Sequence, residues 1–174
     1  MNFQEVSVGG NLFWFGLALM DKDVKIMSKK KCFFNRYPGT EYIARKKVFC
    51  MIGNRMRRTF PKIFNFSPIS FLIPEESQTL ESYMGLHPNF VFIGKPSCGK
   101  GGEGIFLIDK FNKIPQKSYI KNNDLLVQRY IKNPLLIDNK KFDLRLYVLI
   151  AGLNPVRAYL ADEGLARLCT EDYK

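Results

Sequence analysis

The 174-residue chain is 46% hydrophobic and 25% charged, a balance that excludes a disordered chain. Its four cysteines form no C-x-x-C pair and it has one histidine, which argues against a zinc site and a disulfide framework and indicates a reducing compartment. The formal net charge of +11 is concentrated between residues 21 and 62, where thirteen Lys and Arg face three Asp and Glu, and this basic stretch predicts an acidic partner: nucleic acid, anionic lipid or an acidic protein tail.

The first half of the sequence predicts mainly helices. The apolar run 12–20 is too short to span a bilayer, and no basic segment precedes it as in a signal peptide, so it predicts a core strand or helix. A helix is predicted over residues 41–58, with one buried stripe that repeats every four residues, formed by Ala44, Val48, Ile52 and Met56. A second helix is predicted to open at Pro74, because proline suits the first helical position and acidic residues follow it.

The second half predicts mainly strands. A short strand is predicted over residues 69–73, and later strands over residues 90–93, 105–108, 125–130, 142–150 and 156–161. The last two are predicted to form a hairpin around the turn at residues 152–155. Helices followed by strands place the chain in the α+β class.

The loop over residues 94–104 is rich in glycine. It fits the P-loop spacing G-x-x-x-x-G-K, but Gly101 stands where that motif needs Ser or Thr for magnesium, and it also fits G-x-G-x-x-G. Both motifs lead into a helix, whereas a strand is predicted here. Two alternatives remain: a plain glycine hairpin, or a flap whose backbone N–H groups close over phosphates, as in protein kinases. Lys95, which ends the preceding strand, would reach such a phosphate as a point charge.

Charged and polar side chains interrupt two predicted strands. Lys141, Asp143 and Arg145 share one strand face, while the opposite face is predicted to be core and carries Phe142, Leu144, Leu146, Val148 and Ile150. Such a row faces water, pairs internally or binds a ligand. We favour a ligand, because apolar segments flank the strand and charges inside a sheet need partners. Gln128 is either a satisfied core amide or part of an adenine site, and Arg167 alone would be a solvated turn charge.

Several segments together resemble the tubulin tyrosine ligase-like family. They occur in the family's order over residues 35–174, and the block over residues 128–167 is the most specific part. The matching stretches are residues 35–39 (NRYPG) with 44–46 (ARK), 95–96 (KP) with 102–105 (GEGI), 127–131 (VQRYI), 134–137 (PLLI), 141–145 (KFDLR), 147–149 (YVL) and 163–167 (EGLAR).

The resemblance implies an ATP-grasp fold, in which two sheet-containing lobes clamp ATP. It also implies a ligase that activates a carboxylate as an acyl phosphate, which an amine then attacks to form an amide. The positions that it assigns to the nucleotide are Lys46, Lys95, Lys141, the flap glycines Gly101, Gly102 and Gly104, and the adenine linker Gln128, Arg129, Tyr130 and Ile131. It places Asp143 near the ribose or a metal, and it assigns Arg145 and Arg167 to the carboxylate of the amino acid or acceptor, a task for a planar fork of donors.

The resemblance further implies ATP and Mg²⁺ as cofactors and the acidic C-terminal tail of tubulin as the partner of the basic surface. It implies a cytoplasmic, cytoskeletal location that extends to the cilium or basal body, without membrane contact. The Gly-Leu-Ala-Arg form and the Arg45–Lys46 pair are closest to the branch that adds glutamate, while tyrosine ligation and glycylation remain open.

The sequence departs from the family pattern in one respect. The family carries a later Asp and a Glu-x-Asn pair that hold magnesium, and no Glu-x-Asn occurs here. We therefore expect an incomplete domain over residues 1–174, with a helical and strand lobe over 1–88 and the ATP-grasp sheet region over 89–174. We expect it to be inactive alone, and its metal ligands are unassigned.

Two alternatives come from other classes of protein. One is a catalytically silent module that binds ATP or tubulin. The other is a nucleic-acid binder, which would rest on the aromatic residues between the basic residues of 31–37; we favour it least, because it leaves the charged strand row unexplained.

Overall fold

The computed structural model describes residues 4–5, 10–15, 24–25, 32–97, 102–115 and 124–174. Its helices are α1 Thr40–Ala44, α2 Lys46–Thr59 and α3 Ser77–Leu86. Its strands are β1 Leu12–Phe13, β2 Phe33–Phe34, β3 Ser70–Ile73, β4 Phe92–Pro96, β5 Phe106–Ile108, β6 Leu125–Arg129, β7 Leu136–Ile137, β8 Lys140–Arg145, β9 Val148–Leu153, β10 Val156–Leu160 and β11 Leu165–Leu168. These helices lie in the first half of the chain and most of the strands in the second, as predicted. Among the helices described, none has the length and apolar run needed to cross a bilayer.

The chain forms two compact units, Met1–Tyr130 and Ile131–Lys174. In the first unit, a four-stranded sheet has the order β3-β6-β4-β5, and every pair of neighbours is antiparallel. Strand β3 precedes residue 88, and the other three strands of this sheet follow residue 88, so both predicted lobes contribute to the sheet. The predicted division between residues 88 and 89 stays a prediction.

The two faces of this sheet differ. On one face, alternate strand residues pack with Leu80 and Met84 of α3 into the main core, which also contains Phe71, Ile73, Phe92, Ile108, Ile114, Leu125 and Val127. On the other face, Leu72 and Leu126 pack against Cys50 of α2. Because β6 is covered on both faces, its sequence begins with three successive buried apolar residues instead of an alternation.

The predicted helix over residues 41–58 is wrong in two respects. Arg45 has an extended backbone (ψ 129°), which separates α1 from α2. The predicted apolar stripe is also not the buried one: Ala44 and Ile52 are exposed, and the buried residue of α2 is Cys50. The helix face turned to the sheet is held by polar groups on either side of this thiol, since Lys47 pairs with Asp124 (2.7 Å) and the side chain of Asn54 donates to the Ser70 carbonyl (2.8 Å).

Helix α3 begins three residues after the predicted start. Residues 74–76 form a turn in which the backbone N–H of Glu76 donates to the Leu72 carbonyl (2.6 Å) and the Ser77 hydroxyl donates to the Pro74 carbonyl (2.7 Å). The strands of the four-stranded sheet lie near their predicted positions, whereas β2 was not predicted. Strand β4 starts at Phe92 and continues to Pro96, so Lys95 belongs to the strand.

The second unit contains a three-stranded sheet, β11-β8-β7, and a separate hairpin of β9 and β10. The single strand predicted over residues 142–150 is wrong. Two strands of different sheets, β8 and β9, occupy this stretch, and Leu146 and Tyr147 connect them. Strand β11 was not predicted.

The predicted core face of that strand is also wrong. The side chains of Leu144, Leu146, Val148 and Ile150 are exposed, and Phe142 is half-buried. No described residue of Ile131–Lys174 is buried. An alternation of apolar residues shows which face of a strand is suited to burial, but burial also needs a second layer over that face, and the described part of this unit has none.

Candidate functional site

A cleft lies on the sheet face that α2 covers only in part. Its volume is about 350 Å³, and its lining includes Lys46, Phe49, Phe64, Phe66, Lys95 and Gln128. The lining is therefore mostly apolar, with a few cationic and amide groups, as is usual for small-molecule sites. Three of the predicted nucleotide residues, Lys46, Lys95 and Gln128, are brought together here.

The sheet positions Lys95 and Gln128 as neighbours. Ile93 of β4 lies opposite Gln128 of β6, so Lys95 and Gln128 are diagonal neighbours on one face of the sheet. The Lys95 ammonium donates to Gln128 Oε1 (2.8 Å), and Gln128 Nε2 donates to the Ser70 hydroxyl (2.9 Å). Ser70 is not among the predicted site residues, and only its place within the predicted apolar strand over residues 69–73 distinguishes it from other serines.

The N-terminus of α2 is tied to both ends of the segment that contains the glycine loop. The Lys46 ammonium donates to the carbonyl of Pro96, which precedes this segment (3.2 Å). Lys47 pairs with Asp124, which follows the segment (2.7 Å), and also with Glu75 (2.8 Å). The hydrogen bonds that the Lys47 ammonium donates to Asp124 and Glu75 raise the pKa of Lys47. The Asp124 carbonyl in turn accepts from the backbone N–H of Ser97 (2.9 Å). Sequence analysis gave no role to Lys47 or Asp124.

The glycine loop joins two paired strands, β4 and β5. The predicted strand–loop–strand arrangement is therefore confirmed. Gly102 and Gly104 have positive φ angles of 92° and 68°, which L-residues with a side chain rarely adopt. Gly101 lies outside the described residues. The Ser97 hydroxyl, at the base of the loop, is buried and has no hydrogen-bond partner among the residues that the structure describes.

The predicted adenine linker is divided. Gln128 lines the cleft, but Arg129, next along the strand, points to the other face, where its guanidinium lies 3.8 Å from the centre of the Phe90 ring. The backbone N–H of Tyr130 donates to the Val91 carbonyl (2.8 Å). Ile131 is exposed and begins the second unit. The structure thus brings one of the four linker side chains to the cleft.

The floor of the cleft includes the buried thiol of Cys50, which is 7% exposed. Burial is the largest cause that raises the pKa of this thiol, to about 11. The thiol is therefore protonated at neutral pH and is a poor nucleophile.

In the second unit, the charged row lies on one face of the three-stranded sheet. Lys141, Asp143 and Arg145 alternate along β8, and Arg167 of β11 is directly opposite Asp143. The guanidinium of Arg167 donates two hydrogen bonds to the Asp143 carboxylate (2.7 and 2.8 Å). The hydrogen bond from Arg167 is the largest cause that lowers the pKa of Asp143, and the same bond raises the pKa of Arg167. Arg167 is thus a strand residue in an ion pair, where its sequence alone indicated a turn.

The structure permits a test of whether the implied cofactors fit. A nucleotide suits the cleft of the first unit, because an apolar wall and two lysines line it. The buried Ser97 hydroxyl at the base of the glycine loop is a further polar group for a ligand. Magnesium fits less well. Within the described ranges, no group of three or more His, Cys, Asp or Glu side chains could hold a metal ion, and Asp143 is engaged by Arg167.

Comparison with known proteins shows what this chain is similar to. The sequence model of the Tubulin-tyrosine ligase family matches residues 24–174. Tubulin polyglutamylase TTLL11 of Mus musculus is 37% identical over 170 residues, and the probable beta-tubulin polyglutamylase of Tetrahymena thermophila is 35% identical over 171 residues. These alignments cover 94% and 97% of this chain but 23% and 14% of the two relatives, so the chain spans less than a quarter of their length.

A solved structure is similar as well. It is the crystal structure of the C-terminal domain from K. lactis Pby1, an ATP-grasp enzyme that interacts with the mRNA decapping enzyme Dcp2. The match has a TM-score of 0.60 and covers 89% of this chain and 46% of that chain, at 23% identity. An identity this low shows the fold alone, and the predicted ATP-grasp fold is confirmed.

The ion pair of the second unit gives a pH prediction. We expect Arg167→Gln to raise the pKa of Asp143 toward its ordinary value of 3.8, because the substitution removes the hydrogen bonds and the charge that lower it. Arg145→Gln is the matched control and should produce a smaller rise, since Arg145 acts on Asp143 through its charge alone. A ¹³C NMR titration of the carboxyl group measures both.

The sign of the stability effect follows from the lowered pKa. The ionised Asp143 adds stability above its unfolded pKa, and this contribution is lost as the pH falls through the folded value. Equal pKa rises in the two variants would contradict the bidentate pairing.

Proposed function

This chain belongs to the tubulin-tyrosine ligase family, and from that premise we propose that it forms the nucleotide-binding part of an ATP-dependent ligase that adds an amino acid to an acidic protein tail. In such a reaction the γ-phosphate of ATP passes to a carboxylate, and an amine displaces phosphate from the resulting acyl phosphate to form an amide. The observation that carries the proposal is the Lys95–Gln128 pair in the cleft of the first unit.

The residues of the cleft have distinct roles in this proposal. The apolar walls of the cleft accept the purine ring of ATP, and the Gln128 amide lies beside that ring. Lys95 and Lys46 supply positive charge for phosphates, which enzymes of phosphoryl transfer meet with cationic groups. Backbone N–H groups of the glycine loop, with Gly102 and Gly104 in conformations that favour glycine, cover the phosphates.

The charged row of the second unit is proposed to bind the reactants, the amino acid or acceptor carboxylate and the nucleotide. Arg145 and Arg167 bind the carboxylate of the amino acid or acceptor, because a planar guanidinium matches a carboxylate with two hydrogen bonds. Lys141 contributes to nucleotide binding. This assignment is supported by the two hydrogen bonds that the Arg167 guanidinium donates to one carboxylate, that of Asp143.

We infer that glutamate is the amino acid and that the acidic tail of tubulin is the acceptor. Both inferences rest on the similar proteins, which are tubulin polyglutamylases, and on the net charge of +10 between residues 21 and 62 (thirteen Lys and Arg less three Asp and Glu). A cytoskeletal location, with cilia or basal bodies included, follows from such a partner.

A silent module is the second candidate, and one observation favours it. Phosphoryl transfer of this kind uses magnesium, which requires oxygen ligands arranged around the ion. The described residues offer no such cluster, and the sequence has no Glu-x-Asn pair. We therefore propose that the 174-residue chain binds ATP but needs further metal ligands for catalysis.

The first prediction of this proposal concerns ATP. Lys95→Ala and Lys141→Ala should each weaken ATP binding by about 1.5–3 kcal/mol, the scale of a hydrogen bond to a charged group. Isothermal titration calorimetry measures the change. Lys113→Ala is the control of equal charge, because Lys113 pairs with Asp109 and does not line the cleft. Unchanged affinity in both test variants would contradict the assignment.

The second prediction concerns the acceptor. Reversal of Arg55 and Arg58 to Glu should slow association with a poly-glutamate peptide by roughly tenfold, and added salt should reduce the difference. Arg57 is left intact, because its guanidinium donates to the carbonyls of Phe64 and Ser67 and its loss would disturb the loop.

The control for the acceptor prediction applies the same charge change outside the basic stretch, at Lys110 and Lys174. Stopped-flow fluorescence measures the association rates. If duplex DNA competes better than the peptide at equal ionic strength, the partner is a nucleic acid instead.

The third prediction concerns catalysis. The 174-residue chain, incubated with ATP, magnesium, labelled glutamate and tubulin, should incorporate no label above a heat-killed control, because the described acidic residues do not form a metal site. Clear incorporation would show that the chain holds a complete catalytic centre.

A further inference from the structure

Ser70 is a buried polar side chain on the sheet face that carries the cleft. It is 4% exposed, and apolar residues form the rest of the described buried core. It lies directly opposite Gln128 in the register of β3 and β6. A hydroxyl in this position is costly unless it is hydrogen-bonded, and its partners are the Pro68 carbonyl, the Gln128 amide and the Cys50 thiol.

The hydrogen bonds of Ser70 have a fixed direction. Its hydroxyl donates to the Pro68 carbonyl (3.1 Å), and a carbonyl can only accept, so the single proton of the hydroxyl is used there. The hydroxyl oxygen is left to accept, and the group that donates to it is the Gln128 amide nitrogen (2.9 Å). The amide oxygen of Gln128 must then point the other way, and it accepts from the Lys95 ammonium (2.8 Å).

Each donor in this chain of hydrogen bonds meets an acceptor. The first bond has a fixed direction, because the Pro68 backbone carbonyl can only accept. The Gln128 amide is therefore held at both ends: its nitrogen donates to Ser70, and its oxygen accepts from the Lys95 ammonium, which can only donate. The backbone is held as well, because the Asn54 side chain of α2 donates to the Ser70 carbonyl (2.8 Å).

We propose that Ser70 is a positioning residue of the nucleotide cleft: it holds the Gln128 amide in one orientation and, through that amide, holds the Lys95 ammonium where a nucleotide is bound. This inference rests on the proposed function of the cleft. Ser70 does not need to touch the nucleotide, and its effect on the ligand passes through Gln128 and Lys95.

Two substitutions separate this role from simple packing. Ser70→Ala removes the acceptor for the Gln128 amide nitrogen, so the amide loses one of its two anchors and can move together with the Lys95 ammonium. Ser70→Thr keeps the hydroxyl, and a β-branched residue suits a strand, so it should restore the relay. Ser77→Ala is the matched control, because the Ser77 hydroxyl also donates to a proline carbonyl, that of Pro74, and lies outside the cleft.

The experiment measures ATP affinity by calorimetry in the 174-residue chain and in its Lys95→Met background. Ser70→Ala should weaken binding about five- to tenfold, the scale of one lost hydrogen bond in a charged network. Ser70→Thr and Ser77→Ala should stay within about twofold, which is inside the spread of surface substitutions. In the Lys95→Met background, Ser70→Ala should cause little further loss, since the group that it positions is absent. Thermal unfolding of each variant checks that the fold persists.

An equal loss in both backgrounds, or no loss in a folded Ser70→Ala variant, would overturn the inference. If the unsubstituted chain binds no ATP, the proposed function of the cleft fails, and the relay is then tested without a ligand. For that test, the NMR signals of the Gln128 side-chain amide, assigned with Gln128→Glu, should move in Ser70→Ala and stay in place in Ser77→Ala. Signals that stay in place in both variants would refute the relay.

Discussion

The packing of one helix on half of one sheet face determines where this protein can bind a ligand. Helix α2 contacts the sheet through Cys50, Leu72 and Leu126, and the Lys47–Asp124 ion pair holds its first turn. The row of Ser70 and Gln128 remains beside the helix and lines the cleft. Because the opposite face is the main hydrophobic core, the polar side chains of Ser70 and Gln128 lie on this face. Arg129 is on the core face only at the end of β6, over Phe90.

The sequence alone predicted the strands of the first unit well, because each carries a signal that depends on neighbours in the chain. The apolar start of β6 and the glycine-rich segment after β4 are local patterns, and they place Lys95 at the end of one strand and Gln128 within another. The pairing of these two strands is seen only in the structure. The resemblance added the ATP-grasp fold, which the comparison with a solved structure confirmed. The nucleotide roles of these residues remain predictions.

Features that depend on distant contacts could not be predicted in this way. The buried face of α2 combines a thiol with polar groups that pair across the sheet, so a search for an apolar stripe selected Ile52 instead of Cys50. Arg167 was read as a turn charge because its partner, Asp143, is 24 residues away. The apolar face of β8 and β9 shows the same limit, since a pattern on one strand does not reveal what covers it.

The thiol of Cys50 affects the chemistry of the cleft in one further respect. The thiolate is the form of cysteine that reacts with oxidants and alkylating reagents. A thiol with a pKa near 11 is almost entirely protonated at neutral pH, so very little thiolate is present. Cys169 is exposed and is accessible to such reagents. A maleimide dye would therefore label Cys169 before Cys50, and the cleft keeps a sulfur atom at its floor without gaining a redox-sensitive group.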